Sequence, residues 1–338
     1  MLDTNLLFLG VIMKQFYSSF IVTVVGLGIA YFYKSWDAVY ITALLAILEV
    51  SLSFDNAVVN AKVLATMEPK WQKAFIYIGM PIAVFGMRLI FPIMIVSMVA
   101  NLGFFETFDL ALHQPDIYHE KLVTNEKMIF AFGGAFLLMV FLDFFFDRDR
   151  EIKWIKLIED SNFVNKFSAV SNIELIIAMV IGLLLAWKTG NNGISIAYFS
   201  GVLLHSLLNS IDDFLSTDSV RSGIAGLLYL EVLDASFSFD GVIGAFALSN
   251  DIFIIMIGLG VGAMFARSLT LYFIEKKTLS HFIYLEHGAL YAIGALATIM
   301  FLKLFLHISE TVTGTIGLVF ILVAFLHSVY EKKVKNPD

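Results

Sequence analysis

Four carboxylates stand in stretches where carboxylates are costly. Glu49, Asp55, Asp234 and Asp240 lie inside long apolar segments of a 338-residue chain. At the centre of a membrane span each acid costs about 2.5–3.5 kcal/mol on an insertion scale. Protonation, an arginine, water or a bound cation must offset that cost, so an intramembrane acid is a functional-site hypothesis by default. The four acids fall into two copies of one pattern. Residues 49–56 read EVSLSFDN and residues 234–241 read DASFSFDG. Aligned without gaps, Glu49 pairs with Asp234, Ser51 with Ser236, Ser53 with Ser238, Asp55 with Asp240 and Asn56 with Gly241. Each copy is followed by a segment holding one cation, Arg88 or Arg267.

The chemistry on offer is that of hard oxygen ligands. Carboxylates, the hydroxyls of Ser51, Ser53, Ser236 and Ser238, and the Asn56 amide suit Mg²⁺, Ca²⁺ or Mn²⁺ better than copper or zinc. The chain has no cysteine, which excludes thiolate sites, disulfides and thiol catalysis together. Spacing sets a condition on any shared site. On a straight helix, residues i and i+6 are rotated by about 120° and separated by about 9 Å. Glu49 and Asp55 therefore serve one ion only if the S-x-S-F stretch unwinds, which also frees carbonyls as ligands. The expectation is that both motif helices break there and that the four acids converge near the midplane. Arg88 and Arg267 are expected to compensate charge when no cation is bound. A purely structural role, in which these arginines and acids merely glue helices, leaves two negative charges over.

The elements that must carry these residues are membrane spans. Hydrophobic residues make up 59% of the chain and charged residues 15%, against about 25% charged in a soluble domain; the mean hydropathy is +0.84. The predicted fold is all-α, a polytopic transmembrane helical bundle. About ten spans are expected, near 15–33, 38–65, 74–100, 126–146, 171–188, 194–212, 223–249, 252–274, 282–305 and 312–330. The sixth is the weakest, because it carries His205 and Asn209 and ends at Asp212-Asp213. No cleaved signal peptide is expected. Lysine and arginine gather on one side of a ten-span topology, which places both termini in the cytoplasm. Residues 147–170 read as a cytoplasmic amphipathic linker, and residues 101–125 as a solvated acidic and histidine-bearing loop on the opposite side. The net charge of −7 argues against a nucleic-acid partner; the partners expected are a divalent metal ion and the lipid bilayer.

The similarity between the halves extends past the motifs. NEKMIFAFGGAFLLMVFLD (125–143) aligns with LEHGALYAIGALATIMFLK (285–303), pairing Glu126 with Glu286 and Gly134 with Gly294. The motifs fall on the second and seventh spans, an odd offset, so the halves run in opposite directions. Repeat one covers 37–146 and repeat two 222–331. Inverted-topology repeats are typical of secondary transporters.

EVSLSFDNAV (49–58), DASFSFDG (234–241) and SNDIFIIMIGLGVGAMFARSLTLYFIEK (249–276) resemble the TerC/Alx family of bacterial membrane proteins, in the LysE-like transporter superfamily, as a divergent branch. That resemblance implies export of divalent metal, chiefly Mn²⁺, across the bacterial cytoplasmic membrane. It implies Glu49, Asp55, Asn56, Asp234 and Asp240 as metal ligands. Gly241 departs from the family's usual serine, and Ser238 is the substitute ligand. Two other functions compete. One is a non-transporting membrane sensor or scaffold for metal or pH stress. The other is an intramembrane aspartyl hydrolase, which needs two aspartates sharing a proton but not the extra acids Glu49 and Asp234.

Overall fold

In a computed structural model of the chain, the described residues are 2–79, 81–99, 102–148, 150, 152–215, 223–246, 248–249, 251–275 and 282–335. Among them every regular element is helical and no strand occurs. This is the fold class that lipid demands, because backbone groups in hydrocarbon must be bonded within their own segment. Six helices are long and apolar enough to cross a membrane: Gln15–Leu52, Pro115–Phe146, Asn192–Ile211, Ile252–Glu275, Leu285–Lys303 and Thr315–Lys332. The protein is a multi-pass membrane protein.

The expected count of ten is not reproduced by length and apolarity alone, and each difference has a local cause. The first two spans are joined in α1 (Leu2–Leu52), which is not one rod. Lys34 (φ −142°) and Ser35 (φ +66°) leave helical geometry. Before the break Ser19 meets Met264 and Ser268, and Gly26 meets Ile257 and Val261. After it Leu45 meets Gly258 and Glu49 meets Gly262. Against α12 (Ile252–Glu275) the first limb therefore runs antiparallel and the second parallel. The chain reverses at Lys34-Ser35, close to the sequence boundary between residues 33 and 38. The second limb continues almost directly into α2 (Phe54–Ala65). The third span is split into α3 (Pro69–Ala74), π-helical turns at Phe75–Gly79 and Ile82–Ile90, and α4 (Phe91–Val99). In α9 (Ile173–Thr189) there are only 17 residues. The seventh span forms α11 (Gly223–Phe246), whose acids lower its apolarity. The weak sixth span is a full helix, α10 (Asn192–Leu215).

One expectation about loops is corrected. Residues 101–125 are largely helical, in α5 (Phe104–His113) and the start of α6 (Pro115–Phe146). Residues 147–170 hold the short α7 (Lys156–Glu159) and α8 (Asn162–Phe167), with Trp154, Glu159 and Val164 buried. Glu159 bonds Arg150 at 2.5 Å and accepts from Tyr291 at 2.9 Å, while Trp154 packs with Tyr284 and Ala324. A buried ion pair inside a charged stretch leaves no periodicity that sequence inspection detects.

The chain divides into two compact units. The first comprises 1–125 and 230–278, the second 126–229 and 279–338, so the borders fall inside α6 and α11. In the first, Gly258 and Gly262 let α12 approach α1. A Cβ at Gly258 would meet Leu45 Cβ at 2.5 Å, and one at Gly262 would meet the Ala46 carbonyl at 2.7 Å and the Glu49 side chain. Small residues four apart permit this kind of close helix contact in lipid. In the second unit, α6 packs with α13 (Leu285–Lys303), and α14 (Glu310–Lys335) packs on α13. Gly134 closes on Phe301, and Gly294 closes on Phe141.

Candidate functional site

The end of the second limb of α1 delivers Glu49, and the contact at Gly262 seals it from lipid. Its side chain is 1% exposed. Oε1 accepts from Ser53 Oγ at 2.5 Å and from Arg88 Nη2 at 2.5 Å. Arg88 is carried by the π-helical turn Ile82–Ile90 and is itself 2% exposed. A π turn keeps its backbone bonded while shifting the register of what it carries, and such turns are frequent at functional sites. Arg88 Nη1 lies 3.6 Å from Asp234 Oδ2. Asp234 Oδ1 in turn accepts from Asn56 Nδ2 at 2.6 Å. One arginine thus bridges the first acid of each motif copy. Charge-assisted bonds of this length are the strong class. Removing one partner of a buried pair typically costs about 3–5 kcal/mol.

The expected break occurs in the first copy and not in the second. α1 ends at Leu52, Ser53 leaves helical geometry (φ −98°, ψ 10°), and α2 starts at Phe54. Across the junction Ser53 N bonds Glu49 O (2.9 Å) and Ala57 N bonds Ser53 O (3.1 Å), while the Asn56 N–H turns to the Asp55 carboxylate. In the second copy α11 runs without a break. The acids consequently do not all converge. Asp55 is buried and accepts from the Asn56 backbone N–H at 2.9 Å, and it does not line the cavity described below. Ser51 is exposed and donates to Ile47 O within its own helix; Ser236 does the same to Val232 O. The side chains of Ser238 and Asp240 lie outside the described residues. Among the described residues no three Asp, Glu or His side chains stand close enough to share one metal ion.

Beside the Glu49–Arg88–Asp234 bridge is a cavity of about 30 Å³. Asn56, Arg88, Asp234 and Arg267 reach it, as expected from the motifs. Asn60, Glu231 and Thr270 reach it too, and inspection of the sequence passed over them. Their signal was helical spacing. Asn56 and Asn60 are four apart, Glu231 and Asp234 three, Arg267 and Thr270 three, so each pair shares one helix face. Glu231 is 8% exposed, and Gly79 leaves room for its Oε1.

A second polar opening lies within the other unit. A cavity of about 530 Å³ is lined by Asp143, Asp147, Glu174, His205 and Asn209 among others. His205 is buried, with Nε2 3.4 Å from Asp143 Oδ2, and Asn209 donates to the same oxygen at 2.9 Å. His205 and Asn209 of the sixth span therefore face a cavity.

The comparisons with known proteins bear on the expected kinship. No curated protein and no solved structure matches the chain. A family model described as "Protein of unknown function (DUF475)" matches residues 54–335. This overturns the resemblance to the TerC/Alx family, with which no link appears. The resemblance rested on short patterns around buried acids, and the matched region begins after Glu49. Membership is carried instead by the match across most of the chain: the protein belongs to the DUF475 family of proteins of unknown function.

Proposed function

We propose that this protein is a transporter, not an enzyme, and that it moves a hard divalent cation, of the Mn²⁺, Mg²⁺ or Ca²⁺ class, by alternating access. One observation carries the proposal: Arg88, buried, bridges Glu49 and Asp234, the first acid of each motif copy. A guanidinium between two membrane-buried carboxylates occupies the place a divalent cation would take between them. The arginine then holds the site's charge while the cargo is away and yields it when the cargo arrives. Inverted repeats place transporter sites between the two copies.

Reciprocal contacts support such a repeat. Asn56 bonds Asp234, and Gly241, its counterpart, closes on Glu49, the counterpart of Asp234. Likewise Gly134 closes on Phe301 while its counterpart Gly294 closes on Phe141, the counterpart of Phe301. Exchanged contacts of this kind are the signature of a two-fold relation, and the two sets arise in separate units.

The test is flux in proteoliposomes loaded with an indicator dye. Wild-type protein is expected to admit Mn²⁺, and Glu49→Gln or Asp234→Asn to abolish entry. Arg88→Gln is expected to alter turnover more than initial binding. Flux of Mn²⁺, Mg²⁺ and Ca²⁺ no greater than in protein-free vesicles would overturn the proposal.

A further inference from the structure

The cavity beside Arg88 is walled by acceptor oxygens that receive no hydrogen bond among the described residues. Asn56 gives its amide N–H to Asp234, a carboxylate that only accepts, so its Oδ1 must face elsewhere. That oxygen, Asn60 Oδ1 and both carboxylate oxygens of Glu231 are buried and receive no hydrogen bond among the described residues. Thr270 Oγ1 gives its proton to Ala266 O at 3.1 Å, so it offers the cavity lone pairs only. Buried polar groups left without partners are costly and rare. Here four such oxygens belong to three residues that line one cavity.

Charge narrows what fits. Arg88 is shared by Glu49 and Asp234, whereas no ion pair joins Glu231 to a cation among the described residues. The unmatched charge at Glu231 is a single negative one. A divalent ion would overshoot it, with Arg88 and Arg267 in the same wall. A proton would match the charge but supply one donor to several acceptors. Carboxylate, amide and hydroxyl oxygens are the ligands of hard cations. The volume, about 30 Å³, is room enough for one bare ion.

We propose that Glu231, Asn56, Asn60 and Thr270 form a binding site for one dehydrated alkali-metal ion, with sodium as the probe, distinct from the bridge between Glu49 and Asp234. The site goes beyond the transport reading and does not depend on it. In a transporter it would serve as the station of a coupling ion.

The experiment is equilibrium binding to the full-length protein in detergent, with no flux required. Thermal unfolding is followed in NaCl, KCl and choline chloride at equal ionic strength. Sodium is expected to raise the Tm in a saturable manner, and choline to leave it unchanged. Glu231→Gln and Asn60→Ala are expected to weaken the apparent sodium affinity by about tenfold or more, while Lys34→Met keeps it. Calorimetric titration of wild-type protein with sodium gives the same answer should either variant fail to fold. A wild-type protein indifferent to sodium by both methods overturns the site. So does an undiminished response in folded Glu231→Gln and Asn60→Ala. A response to pH alone, lost in Glu231→Gln, identifies a proton and also overturns it. Loss of Mn²⁺ flux leaves this result standing, and loss of sodium binding leaves the flux result standing.

Discussion

Glu49 and Asp234 occupy the same place in two copies of one motif, yet they live in different surroundings. Glu49 is closed in by Gly262 and Gly241, and it takes both Ser53 and the nearer nitrogen of Arg88. Asp234 holds Arg88 only at 3.6 Å, leans on Asn56, and opens to a cavity that Glu231 shares. The position that is asparagine in the first copy is glycine in the second. This single difference removes a donor on one side and admits a carboxylate on the other. The two copies have therefore become an anchored half and an accessible half. Equal sequence patterns do not yield equal electrostatics once one cation must serve both.

The sharpest way to break this comparison is to remove the cation. Arg88→Met should cost about 3–5 kcal/mol, since two buried carboxylates lose their partner. Thermal unfolding of the purified protein measures it. Pairing Arg88→Met with Glu49→Gln should restore more stability than pairing it with Asp234→Asn, because Glu49 makes the shorter bond. Equal rescue would mean that the two acids are equivalent.

Next in size is the Asn56 bond. Asn56→Ala should cost about 1.5–3 kcal/mol, the usual range for a hydrogen bond to a charged group. In buffer free of alkali-metal ions its effect should fall on Asp234 alone, so it should nearly vanish in an Asp234→Asn background. Full additivity of the two substitutions would separate Asn56 from the accessible half.

The glycines sharpen the contrast further. Gly262→Ala presses on the Ala46 carbonyl and the Glu49 stem, and should cost about 1–3 kcal/mol as overpacking. Gly241→Ala meets the Glu49 Oε2 at 3.1 Å, which can shift, and Leu52 Cδ1 at an ordinary 3.7 Å. It should cost less, and an equal or larger loss of Tm would contradict the assignment of Glu49 as the anchored acid.

The smallest effect belongs to an acid outside the spans. Asp251 begins α12 and pairs with Lys34 at 2.6 Å. Burial alone would raise its carboxyl, but the Lys34 ammonium and the backbone N–H groups of Ile254 and Phe253 outweigh it and hold the pKa below the ordinary value. A carboxyl lowered in the folded state stabilises fully above its unfolded pKa, and that contribution is lost as pH falls through the folded one. Lys34→Met should therefore lower the stability slightly at neutral pH, by about 0–1 kcal/mol for so exposed a pair, read as a small fall in Tm. The difference should disappear in acid, and a difference that grew in acid would reverse the sign.

Some of this was legible residue by residue. The break between the first two spans follows from Lys34 and Ser35 interrupting apolar runs, and the helical class follows from hydropathy. The motif acids announced themselves because charge inside a span has no cheap explanation. Glu231, Asn60 and Thr270 did not, because a single polar residue in an apolar run gains meaning only from what faces it. The expected break appears at Ser53 in the first copy but not in the second, where α11 keeps its backbone bonds through the matching stretch.

By itself, the sequence determined that the chain is helical and crosses the membrane, and that two matching acid-bearing segments lie within it. These are local matters, settled by hydrophobicity and by backbone groups that must bond within their own segment. Tertiary structure alone decided that Arg88 serves both copies, that Asp55 stands apart, and that Glu231 and Asn60 complete a cavity. Those outcomes depend on how closely helices approach at Gly258, Gly262 and Gly241, and the distance between helices is not written in either helix alone.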